Sequence, residues 1–168
     1  MKRLKLSLVL LVGSLLPTAF AATPVDTPYE PQKVVVDMYF DEPAKMATAL
    51  YWIRSIINPL SEEPYGYIPD EHDIKVVIHG TEIVTVAKKN EEKYKEIVSR
   101  MRYYDTFGVE FKVCGLAAQD YDYAAEDLQD FIDLVPSAMT EIVHWQNQGY
   151  ALLTPHVYER TQSIQEIR

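Results

Sequence analysis

Cysteine is almost missing from this chain: its 168 residues hold one, Cys114. A lone thiol makes no internal bridge, so a disulfide framework within the chain is excluded. Glycine is sparse too, six residues scattered along the sequence, and no glycine-rich loop is available to cradle a phosphate. The strings CxxC, GxSxG and HExxH do not occur, so the sequence carries no signature of a dithiol oxidoreductase, an α/β-hydrolase or a zincin. Positive charge is outnumbered, 16 Lys and Arg against 25 Asp and Glu, for a net charge of −9. An acidic surface repels phosphate backbones and anionic lipid, which argues against nucleic acid and membrane surfaces as partners.

Long apolar runs are missing beyond residue 16, and the one before it has a distinctive setting. Lys2, Arg3 and Lys5 precede an apolar stretch from Leu6 to Leu16; Pro17 ends it, and Ala19-Phe20-Ala21 follows. This is the secretory signal-peptide pattern over residues 1–21, with cleavage expected between Ala21 and Ala22. The run is shorter than the roughly 20 residues a bilayer span needs. The expectation is an exported protein, periplasmic or secreted, with no membrane attachment after cleavage. Losing three basic residues and no acidic ones takes the net charge to −12.

What is present alternates. Residues 22–32, with three prolines, read as an extended leader. The valine-rich run 33–40 reads as a buried strand. Asp41 then stands as a helix N-cap with Pro43 in the first turn. Met46, Leu50, Ile53 and Ile57 follow at helical steps, in a helix expected to stop before Asn58-Pro59. Residues 58–73 form a long acidic connection that could lie over Cys114, and 74–80 a second strand. A helix is expected over 91–103 with Asn90 as its cap, a third strand over 109–114 and a fourth over 131–135. A helix from Pro136-Ser137 to Gly149, a fifth strand at 150–155 and a polar tail at 156–168 complete the chain. One α/β domain, 33–155, follows from this order: about five mostly parallel strands with helices on both faces.

In such sheets reacting groups gather beyond the carboxyl ends of the strands. Tyr39-Phe40-Asp41, His79-Gly80, Cys114-Gly115 and Pro136-Ser137 all fall there. Cys114 has two readings: a small buried hydrophobe, or a reactive thiol activated by helical N–H groups starting at Gly115 and by His79 as base. His72 sits among Glu62, Glu63, Asp70, Glu71 and Asp73, but without metal-ligand spacing it reads as part of a solvated loop. No cofactor and no metal site is expected.

"FDEPAKMATAL", "VVIHG", "GVEFKVCG" and "VPSAMTEIVHWQNQGYALLTP", in this order, resemble the DsrE family over residues 33–155. The family includes the DsrE/DsrF sulfur-oxidation proteins and the sulfur-relay subunit TusD. The resemblance implies a three-layer, flavodoxin-like sandwich and assembly into homotrimers or hexamers. It also implies a sulfurtransferase-type relay in which a cysteine past the third strand, here Cys114, takes a persulfide from a donor protein and passes it to an acceptor. Relay members carry an arginine-glycine pair soon after that cysteine. Here "CGLAAQDYD" has no arginine, and Asp120 and Asp122 would oppose a persulfide anion. Two expectations follow. One is an exported, non-enzymatic binding or assembly module that self-associates; the other is a persulfide carrier built on Cys114, His79 and the Gly115 backbone N–H.

Overall fold

A computed structural model describes residues 22–168, so the signal-peptide reading of residues 1–21 lies outside the described residues. Five strands form one sheet: β1 (Lys33–Met38), β2 (Asp73–Ile78), β3 (Glu110–Cys114), β4 (Ile132–Val135) and β5 (Ala151–Leu153). Every pairing is parallel, in the order β4-β3-β2-β1-β5. The helices are α1 (Lys45–Ser61), α2 (Lys95–Asp105), α3 (Gly115–Asp120), α4 (Ala138–Asn147) and the single turn α5 (Ile164–Ile167).

Alternate strand side chains face opposite ways, so the valine runs feed two layers at once. Val34, Val36, Met38, Val76, Ile78 and Phe111 pack with Met46, Leu50 and Ile53 of α1 and Met101 of α2 in the larger core. Val35, Val77 and Cys114 face the other way, against Ala138 and Ile142 of α4 and Tyr150. The expected α/β sandwich with helices on both faces is therefore present.

The amino half of the α4 face is charged, a feature hidden in the sequence. Lys75 and Lys112 are both buried. Lys75 bonds to Glu110 and lies 2.7 Å from Asp73, while Lys112 lies 2.9 Å from Glu110 and 3.0 Å from Asp133. Trp145 covers Lys75, with Nζ 4.8 Å from the ring centroid, and Trp145 Nε1 donates to Glu141 at 2.7 Å. Burial opposes these charges, but the carboxylates hold both lysines above their usual range, and the lysines, with the Tyr150 hydroxyl at Asp73, hold Asp73 and Glu110 below theirs.

Several boundaries differ from the sequence reading. Ala44, not Asp41, stands at the cap position of α1, and Asp41 instead accepts from Lys45 Nζ at 2.6 Å. The helix runs through Asn58-Pro59 to Ser61. A proline in the last turn forfeits one backbone bond, and carrying on buries Leu60. The second helix starts at Lys95 rather than 91, after 3₁₀ turns over 81–86 and 88–90 and a further turn over 91–94. The Asn90 side chain donates to the Val84 carbonyl at 2.9 Å instead of capping. At α4 the expected signals operate: Ser137 Oγ accepts from Thr140 N–H, and Gly149 has φ +86°.

The connection after α1 leads into the amino end of β2, the opposite end of the sheet from Cys114, so it is no lid. It holds the leader instead. Tyr65 and Tyr67 hydroxyls donate to the carbonyls of Thr27 at 2.7 Å and Tyr29 at 2.9 Å. His72 is not solvated, being only 3% exposed. Its Nδ1 accepts the Gln32 N–H at 3.0 Å.

Candidate functional site

Beyond the carboxyl ends of β1 and β2 the chain turns at Tyr39-Phe40-Asp41 and His79-Gly80, and one buried side chain joins the two turns. The wholly buried carboxylate of Glu82 accepts from the N–H groups of Phe40 at 2.9 Å, His79 at 3.1 Å and Gly80 at 2.8 Å. Burial pushes its pKa up, against the pull of these donors. Gly80 is required here, because a Cβ would stand 2.6 Å from the Phe40 nitrogen and 2.7 Å from its oxygen.

So positioned, the His79 imidazole places Nε2 2.6 Å from Asp37 Oδ1. The second oxygen of Asp37 takes a long contact of 3.5 Å from Thr154 Oγ1, just past β5. Tyr39 stacks on the imidazole, with centroids 4.8 Å apart and planes 15° from parallel, and remains 68% exposed. These groups open onto a crevice of about 250 Å³ whose lining includes Tyr39, Asp41, His79, Gly80, Asp120 and Tyr121. Among the described residues no lysine or arginine lines it.

Cys114 is outside that lining. It is the last residue of β3, pairs with Val135 and is 6% exposed, packed among the apolar residues of the α4 face. Val113 pairs with Ile78, which puts His79 and Cys114 one residue further on along neighbouring strands. The imidazole is nevertheless turned to Asp37, and no hydrogen bond joins it to the thiol among the described residues. Gly115 opens α3, where a Cβ would meet the Val135 carbonyl oxygen at 2.9 Å. Thus His79 and the Tyr39 turn come together, while Cys114 lies beside them under cover.

Sequence reasoning missed Asp37 and Glu82. An acid inside the apolar run "KVVVDMYF" was a usable signal for Asp37, since an unpartnered charge does not belong in a buried strand. Glu82 had no comparable signal in an ambiguous segment. Among the described residues no group of His, Cys, Asp and Glu is arranged to hold a metal ion, and no helix is long and apolar enough to cross a membrane.

The DsrE/DsrF-like family model matches residues 33–155, from the first residue of β1 to just past β5. The chain belongs to the DsrE/DsrF-like family. Two solved structures share the fold of this DsrE/DsrF-like chain. One is MTH1491 from Methanobacterium thermoautotrophicum, a protein of unknown function, with 22% identity and a TM-score of 0.59 over 74% of this chain and 99% of that one. The other is BT1422 from Bacteroides thetaiotaomicron, also of unknown function, with 12% identity and a TM-score of 0.51 over 74% and 95% of the two chains. No curated protein matches the sequence.

Proposed function

We propose that this DsrE/DsrF-like protein is an exported, self-associating binding module without catalytic turnover, and that its ligand seat is the crevice under Tyr39 and His79. The observation that carries this reading is the contrast between two neighbours. Cys114 is buried among Val35, Val77, Ala138, Ile142 and Tyr150, whereas Tyr39 and His79 line an open crevice. A concave site with a few fixed polar groups is the usual form of a small-molecule seat. A thiol among aliphatic neighbours behaves as a small hydrophobe.

A second reading, a persulfide carrier, draws on the placement of Cys114 directly before α3 and beside His79 on the next strand. The thiolate would attack a sulfane sulfur of a polysulfide. A new S–S bond forms as one donor S–S bond breaks, and the shortened polysulfide leaves with the electron pair.

Alkylation of Cys114 separates the two. The binding-module reading expects a thiol that stays silent in the folded protein and reacts at the free-thiol rate in denaturant. It also expects no persulfide adduct (about 32 Da) after polysulfide treatment. Rapid alkylation of the folded protein together with that adduct would establish the carrier instead.

A further inference from the structure

Resting on the reading of the crevice as a ligand seat, we infer that its ligand is a small organic cation, an amine or quaternary ammonium headgroup. The argument begins with charge. Asp41 and Asp120 lie in the lining, and no lysine or arginine joins them. Asp37 stands directly behind His79. Lys45, outside the lining, is bonded to Asp41 at 2.6 Å and offsets that charge, which leaves Asp120 as the lining carboxylate with no described ion-pair partner. A concave site bordered by one sign of charge concentrates the opposite sign, and the chain as a whole carries −9. Anions, including sulfur oxyanions and persulfides, are repelled from it.

The aromatic rings then select among cations. Tyr39 has one face against His79 and is 68% exposed. Tyr121 reaches the same lining, backed by Tyr123 at 6.1 Å in a near-parallel stack. Tyrosine faces attract cations through the ring quadrupole, and weakly hydrated ammonium groups gain most because they lose little water. A hard metal ion would need several oxygens converging on one point, and the described residues offer no such group. A crevice of about 250 Å³ is below the usual size of drug-like ligand sites, so it suits a headgroup rather than a large ligand.

The test is a titration of the ¹⁵N-labelled protein with choline, with 3,3-dimethylbutan-1-ol (the uncharged isostere with carbon in place of nitrogen) and with sulfate. Choline is expected to shift the amide signals of Phe40, Gly80 and Tyr121 and to bind about ten-fold or more tighter than the isostere. Tyr39→Ala and Asp120→Asn should each weaken choline several-fold, while Asp120→Asn leaves the isostere unchanged. Equal binding of choline and the isostere overturns the cation assignment. So does a response of the same amides to sulfate or the isostere but not to choline, although the crevice would then still be a binding seat. If none of the three probes moves these amides, both the cation assignment and the reading of the crevice as a seat fall.

Discussion

The Nε2 atom of His79 lies 2.6 Å from Oδ1 of Asp37, a pairing across 42 positions of sequence that ties the end of β2 to β1. Asp37 is the last residue but one of a valine-rich strand, and this imidazole gives its carboxylate a partner. Asp37→Ala should therefore lower stability by about 1–3 kcal/mol, because a half-buried imidazole nitrogen loses its only described partner. Asp37→Asn keeps an acceptor oxygen and should cost clearly less. Urea unfolding of the two variants, read for midpoint at constant m-value, checks the order.

Glu82 organises the rim of the crevice through three backbone N–H groups. Removing its side chain orphans the buried N–H groups of Phe40 and Gly80, while the His79 N–H keeps the Met38 carbonyl at 3.1 Å, so Glu82→Ala should destabilise by about 2 kcal/mol or more. Glu82→Gln, which retains one acceptor oxygen, should fall between. Gly80→Ala should be comparably harmful, since the new methyl would collide with the Phe40 backbone as well as with the Glu82 carboxylate. Thermal or urea denaturation monitored by circular dichroism would show both.

Much of the fold was readable in the sequence, and the exceptions have physical causes. Met46, Leu50, Ile53 and Ile57 announce α1 because burial repeats with the helical period. Pro59 misleads because the helix gives up one backbone bond there and still continues, burying Leu60. Lys75 and Lys112 sit in strands that read as apolar. Asp73 and Glu110 stand two residues before them on the same strands, but the cross-strand partners Glu110 and Asp133, and Glu141 of α4, are displayed by no local pattern. The site was half legible. The ends of β1, β2 and β3 were marked by His79-Gly80 and its counterparts, yet the Asp37 contact and the Glu82 stitch are long-range or lie in irregular chain.

Cys114 offers a sharper comparison than its loss alone. In an apolar pocket, Cys114→Ser buries a hydroxyl without a ready partner and should cost about 1–3 kcal/mol. Cys114→Ala leaves only a small void and should cost about 1 kcal/mol. Serine worse than alanine in urea unfolding is the expected order. The reverse order would indicate a polar, solvent-reached thiol.

The leader's attachment should weaken in acid. Burial holds His72 below its ordinary pKa, against a smaller upward pull from Glu71. Its Nδ1 can accept the Gln32 N–H only while unprotonated. The unfolded chain therefore takes the proton first, near pH 6.5. This contribution to stability is complete above that pH and is lost as pH falls through the lower folded value. Between about pH 7.5 and pH 5 the urea midpoint should drop further for the wild type than for His72→Asn. Equal drops would show that His72 does not carry the effect.

The strand order has a consequence for how the protein is made. β1 is among the first parts of the domain to be synthesised, but one of its two edges is completed only by β5, through pairs such as Val34 with Ala151. Until β5 has left the ribosome, the growing chain carries an open hydrogen-bonding edge of valines, the kind of edge that joins foreign strands. Non-local pairing of this sort is slow to form. Nascent chains stalled before Ala151 should thus be the form of this protein most in need of a chaperone.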